Sequence, residues 1–190
     1  MLISNRHDFI FIKNRKVAGS TVEHLLKPHC DVFTRDGEDG HIEYRSVMER
    51  YPSEWRHYYK FAIERNPWEK CVSAYEWHKI IKPGKVKDLS FEEYMDKYSN
   101  MLPCDWQKYA DHNNNIMVDD VFTVEKISEL FDKIRNKFNI DIPKEVYYNT
   151  KLKQVKREHY STYYTKTTRQ YVELMFRNEI EHFGYEYEQR

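Results

Sequence analysis

Long apolar runs are absent from this chain. None approaches the roughly 20 residues that a membrane-spanning helix needs. Mean hydropathy is −0.91, so a strongly polar surface and no membrane partner are expected. The N-terminus lacks the cationic, apolar and small-residue segments of a signal peptide. Cysteine is scarce, and Cys30, Cys71 and Cys104 form no C-x-x-C pair. That excludes a disulfide framework and a thiolate zinc site. A cytoplasmic protein from a reducing compartment is expected.

An excess of one charge is also missing. Lys plus Arg and Asp plus Glu number 31 each, which argues against a nucleic-acid partner held by bulk electrostatics. A local basic pocket stays open. Glycine is rare, and the first is Gly19. A Walker A loop, which needs G-x-x-x-x-G-K-S/T, therefore cannot be built around Lys16.

What is present is aromatic and periodic. Aromatics make up 16 % of 190 residues, with 16 Tyr. Tyrosine can fill a core while its hydroxyl reaches a partner at the rim. The length suits one domain over 1–190. Apolar runs at Phe9–Ile12, Tyr58–Ile63 and Val118–Val124 read as strands, with a shorter one at 31–34. Between them lie helical patterns from Ile42 to Tyr51, from Pro67 to Lys82, a short one after Ser90, and one over 127–138. A last helix is expected from Thr165 to Phe183, with Val172, Met175, Phe176, Ile180 and Phe183 inward and Gly184 as its cap. The fold class is α/β, a central parallel sheet flanked by helices.

One stretch organises the chain. Phe9–Ile12 is a buried strand, Lys13–Ala18 a basic loop, and a helix follows, with Ser20 and Glu23 at capping-box spacing. Gly19 allows close approach of a ligand to the backbone. A helix start offers free N–H groups and partial positive charge to an anion. Lys16, Ser20 and Thr21 add a cation and two hydroxyls. An ordinary βα turn with a solvated Lys16 fits the same residues.

A second stretch starts at Arg65, at the end of the strand over 58–63. Asn66, Pro67 and Glu69 are a helix start, and Ser73 lies eight residues beyond Arg65. A guanidinium and a hydroxyl at the carboxyl end of a strand can trap a phosphate. Arg65 paired to a carboxylate is the alternative. Lys151, Lys153, Lys156 and Arg157 form a further cationic segment.

Together the two stretches resemble the superfamily of sulfotransferases that use 3′-phosphoadenosine 5′-phosphosulfate. Lys16-Val17-Ala18-Gly19-Ser20-Thr21 is similar to their 5′-phosphosulfate loop. Arg65-Asn66-Pro67-Trp68-Glu69-Lys70-Cys71-Val72-Ser73-Ala74-Tyr75 is similar to their 3′-phosphate motif, with Lys70 in place of the usual Arg. Ile180 to Tyr185 resembles the end of their C-terminal helix. Gly40-His41-Ile42 resembles the segment that carries the catalytic base in the carbohydrate branch, which includes the heparan 2-O-sulfotransferases.

The resemblance implies a P-loop-like nucleotide-binding sulfotransferase fold. It implies sulfuryl transfer from that donor to a carbohydrate or small-molecule acceptor, with no metal. His41 would be the base, with Glu43 or Glu38 as alternatives, and Lys16 the cation at the leaving group. Residues 17–21 would hold the 5′-phosphate and Arg65 with Ser73 the 3′-phosphate. Lys153 and Arg157 are candidates to close over the donor. His78 could face the acceptor; Trp106 and Tyr109 are expected in the core or at its rim. A nucleotide kinase and a non-catalytic nucleotide-binding module are the competing classes. The first would need a magnesium carboxylate, for which Asp119 and Asp120 are poorly placed.

Overall fold

The computed structural model describes residues 1–34, 41–143 and 157–190. In chain order the elements are β1 (Leu2–Ser4), β2 (Phe9–Ile12), α1 (Gly19–Leu26), β3 (Val32–Phe33), α2 (Tyr44–Arg50), α3 (Pro52–His57) and β4 (Tyr59–Glu64). Next come α4 (Pro67–Ile81), α5 (Pro83–Val86), α6 (Phe91–Lys97), β5 (Asp120–Thr123), α7 (Ile127–Phe138), α8 (Lys166–Met175) and α9 (Arg177–Phe183). They fall into two compact units. One holds Met1–Arg65 and Asp105–Val146, the other Asn66–Cys104 and Tyr147–Arg190.

The first unit is α/β. Its five strands run in the order β3-β1-β2-β4-β5. The sheet is mixed, which corrects the parallel sheet expected above. β2, β4 and β5 are parallel, but β1 is antiparallel to both β2 and β3. The cause is local. Only Asn5–Asp8 separate β1 from β2, and so short a link can join only antiparallel strands. Phe9, Ile10, Phe11 and Ile12 are all 0 % exposed, so both faces of β2 are covered, as its unbroken apolar run requires. On one face Phe9, Phe11 and Phe61 pack with Val22 and Leu26 of α1 and with Leu130 and Ile134 of α7.

The second unit is helical. Asn66 caps α4 as its sequence predicts, its side chain accepting from the N–H groups of Trp68 and Glu69. Ser90 and Glu93 form the expected capping box on α6. The core gathers Trp68, Val72, Tyr75, Phe91, Tyr94 and Phe176. Tyrosine hydroxyls find partners at its rim: Tyr75 donates to the Leu89 carbonyl at 2.6 Å and Tyr164 to that of Trp68 at 2.9 Å. The expected single C-terminal helix is two. Phe176 leaves helical geometry at φ −111°, ψ 26°, separating α8 from α9. Met175 is consequently 37 % exposed rather than inward. Gly184 ends α9 at φ +66°, the left-handed cap expected of it.

Candidate functional site

The site is built where β2 ends. β2 and β4 are parallel neighbours with Ile12 opposite Ala62, so the chain leaves both strands at the same edge. That edge is where open α/β sheets bind ligands. The 13–18 loop and Arg65 meet there. Nη1 of Arg65 donates to the main-chain carbonyl of Lys16 at 3.3 Å. Two stretches 49 residues apart are thereby joined.

The loop is held in an uncommon shape. Lys16 and Ala18 have φ of 61° and 58°, left-handed values that non-glycine residues seldom adopt. Such positions cost of order 1–3 kcal/mol each and persist where surroundings over-determine them. Val17 between them is fully buried in the sheet core. Its burial contributes about 1.5–3 kcal/mol, enough to offset one such residue. A left-handed residue opening into a helix turns successive N–H groups toward one point, the form of an anion-binding nest.

Two expectations about the helix start change. α1 begins at Gly19 with Ala18 as its N-cap and no side-chain cap, so Ser20 and Glu23 form no capping box. Thr21 N–H bonds the Ala18 carbonyl at 2.9 Å, leaving its hydroxyl as its contribution to a ligand. Gly19 and Ser20, in the first turn, have N–H groups beyond the reach of the helical ladder. Gly19 is needed for the close approach of strand end to helix: a Cβ there would meet Cγ of Lys13 at 3.0 Å.

Around the loop lie charges that no motif marks. Lys13 is buried and its Nζ meets the Glu23 carboxylate at 2.6 Å. Asp105, with its side chain fully buried, accepts from the main-chain N–H of Arg15 at 2.6 Å and from its Nε at 2.9 Å. Lys108 reaches the same carboxylate at 2.7 Å. Glu64, also buried, accepts from Arg65 N–H at 2.9 Å and from the Tyr109 hydroxyl at 3.0 Å. Asn14 donates to the Ile63 carbonyl at 3.0 Å, while its buried Oδ1 has no partner among the described residues. Tyr109 and Trp106 are 0 % and 7 % exposed, core residues as expected.

His41 belongs to this unit too. Its Nδ1 lies 3.0 Å from the Lys13 carbonyl. A carbonyl can only accept, so Nδ1 carries the proton and the neutral ring keeps its lone pair on Nε2. Burial lowers the imidazole pKa below its usual value, and Lys108 and Lys13 push the same way. The bond to Lys13 and the charge of Asp105 oppose them. A ring that is neutral at neutral pH with its lone pair on Nε2 is suited to accept a proton. Of the alternative bases, Glu43 is the exposed N-cap residue of α2, whereas Glu38, like Gly40, lies outside the described residues.

Ser73, Lys70, Arg157 and His78 lie in the second unit. Ser73 is buried in the second turn of α4. Lys70 is fully buried beneath it in sequence, with Nζ 6.0 Å from the Phe176 ring, a core position rather than a ligand's. Arg157 is paired with Glu69 in the first turn of α4, so the closing role expected of it would first have to break that pair. Lys153 lies outside the described residues. His78 meets the Tyr94 hydroxyl at 2.7 Å. Asp119 and Asp120, at the start of β5, are engaged by Lys60 and by Lys133 with Tyr59 respectively. They sit at the opposite end of the strands from Arg65. Among the described residues no group of three or more His, Cys, Asp or Glu could hold a metal ion, and no helix is long and apolar enough to cross a membrane.

Comparison with known proteins adds one relative. Over 95 residues the chain is 30 % identical to a protein of Archaeoglobus fulgidus described as "Uncharacterized protein". The match covers 49 % of this chain and 78 % of that one. No family model and no solved structure matches.

Proposed function

The chain belongs to one family with the Archaeoglobus fulgidus protein, and we propose that it is a sulfotransferase using 3′-phosphoadenosine 5′-phosphosulfate, with a P-loop-like nucleotide-binding sheet. The observation that carries this reading is the bond from Arg65 to the Lys16 carbonyl, which gathers the two motif-bearing stretches at one sheet edge. The acceptor is a hydroxyl of a carbohydrate or other small molecule, and the setting is cytoplasmic.

In this reading the 5′-phosphosulfate lies on the loop from Lys16 to Thr21, against the first-turn N–H groups and the hydroxyls of Ser20 and Thr21. Arg65, and by the motif Ser73, take the 3′-phosphate. The acceptor O–H gives its proton to Nε2 of His41 as the oxygen bonds to sulfur. The bond from sulfur to the bridging oxygen breaks, and its electron pair leaves on the 5′-phosphate. Lys16 stabilises that charge, an interaction stronger in the transition state than in the ground state. The products are a sulfate ester, 3′-phosphoadenosine 5′-phosphate and a proton held by His41.

The test is incubation with donor labelled in its sulfate and a panel of sugars, phenols and amines. Label should pass to an acceptor with release of 3′-phosphoadenosine 5′-phosphate. Lys16→Ala should slow single turnover at saturating donor more than it weakens binding of that product. Transfer of the γ-phosphoryl of ATP by a protein that never transfers label would overturn the reading in favour of a kinase.

A further inference from the structure

We propose that Asp105 is a positioning residue: its buried carboxylate, shared by Arg15 and Lys108, fixes the strand-end loop whose carbonyl orients His41 and balances the cations around that ring. The proposal rests on the reading of His41 as proton acceptor. Asp105 comes from a segment more than 80 residues beyond the loop, and no motif includes it.

The geometry has two parts. Asp105 takes both the main-chain N–H and the Nε of Arg15, at 2.6 and 2.9 Å. This two-point hold fixes backbone as well as side chain. Lys13, two residues before Arg15, supplies the carbonyl that holds Nδ1 of His41. Anchoring Arg15 therefore anchors the acceptor that selects the tautomer. The same carboxylate holds Lys108 at 2.7 Å, across the turn over 106–108 that Asp105 precedes.

The second part is charge. The groups facing His41 are Lys13 from the end of β2, and Lys108 and Asp105 from the later segment. Glu43 and Arg45 lie on its own stretch of chain. Lys13 is paired with Glu23. Lys108 lowers the proton affinity of His41 and Asp105 raises it. Without Asp105 the imidazole would face Lys108 with its counter-charge gone. With a solvent-exposed carboxylate the effect would be screened, but this side chain is 0 % exposed.

The two members of the pair should act with opposite sign, which damage to the fold would not produce. The experiment is a nitrogen-15 NMR titration of the His41 imidazole in the full chain, for wild type, Asp105→Asn and Lys108→Met. Asp105→Asn should lower the His41 pKa by roughly half a unit, and Lys108→Met should raise it by a similar amount. In wild type the spectrum should show the proton on Nδ1 of the neutral ring. The acid limb of the sulfuryl-transfer rate should move with the titration. Unchanged His41 pKa values, or shifts of one sign in both variants, overturn the proposal. If Asp105→Asn fails to fold, Lys108→Met decides alone: no rise in pKa overturns it. Opposite shifts in a protein that transfers no sulfuryl group would uphold the charge balance and remove the enzymatic reading instead.

Discussion

The ammonium of Lys13 and the carboxylate of Glu23 meet at 2.6 Å, joining the first residue of the loop to the second turn of α1. Their side chains are 7 % and 18 % exposed. A buried charge stripped of its partner is costly, about 3–5 kcal/mol where burial is complete. With Glu23 partly exposed, Glu23→Gln should destabilise the first unit by roughly 1–3 kcal/mol. Urea denaturation measures this. A change under 0.5 kcal/mol, taken as an approximate detection limit, would mean that water already neutralises Lys13.

Ala18 is exposed and left-handed. Non-glycine residues lose about 1–2 kcal/mol in that conformation, while glycine adds roughly 0.5–1 kcal/mol of backbone entropy to the unfolded chain. Relief of strain should win narrowly, so Ala18→Gly is expected to be neutral or stabilising by up to about 1 kcal/mol. Ala18→Val should destabilise, because a β-branched side chain fits φ of 58° poorly. Thermal melts that rank Val above Gly would show that the loop does not hold this shape.

Arg65 has two roles in the proposed site, and they can be separated. Its guanidinium steadies the loop through the Lys16 carbonyl and offers charge to a 3′-phosphate. Wild type should bind 3′,5′-adenosine bisphosphate far more tightly than 5′-AMP. Charge-assisted hydrogen bonds contribute about 1.5–3 kcal/mol, so Arg65→Ala should weaken the bisphosphate roughly tenfold to a hundredfold. Arg65→Lys keeps the charge but not the planar fork, and should recover only part of that loss. Equal affinity of wild type for the two nucleotides by calorimetry would remove the 3′-phosphate assignment.

How much of this was legible in the sequence depended on the range of the interaction. Phe9–Ile12 showed its burial because an interior strand has no polar side to hide. Asn66 and Ser90 announced their helices because capping is decided within three residues. β1 passed unread: three residues, Leu2–Ser4, are too few to establish a period. The break at Phe176 carries no Pro or Gly, so periodicity ran through it. Ser20 and Glu23 had the spacing of a cap, but Glu23 is taken by Lys13 instead. The site divided along the same line. Lys16, His41 and Arg65 stood in recognisable local patterns, and the structure places all three in the first unit. Asp105, Lys108, Glu64 and Tyr109 had no such pattern, since what makes them matter is contact across 45 to 90 residues. The one available hint was chemical: a 0 %-exposed carboxylate must have partners, but burial of an Asp is not visible before the fold is.

His41 gives the sharpest dependence on pH. Burial holds its pKa below the usual His value of 6.5. A positioned base contributes roughly 10²–10⁴-fold to rate, so His41→Ala should lose about that much while donor affinity stays near wild type. The wild-type rate should fall with acid along a limb lying below pH 6.5, where Nε2 becomes protonated. The same shift acts on stability. Between the folded and unfolded pKa values the unfolded chain binds more protons than the folded one. The contribution from neutral His41 is therefore fully present above the unfolded value and is lost as pH falls through the folded one. His41→Asn, which can keep a donor near the Lys13 carbonyl, should flatten that part of the stability profile and still lack the rate. Single-turnover profiles at saturating donor and acceptor, run beside chemical denaturation at each pH, separate the two effects. An alanine variant that retains both the wild-type rate and its acid limb would place the base elsewhere and make Glu43 the next residue to substitute.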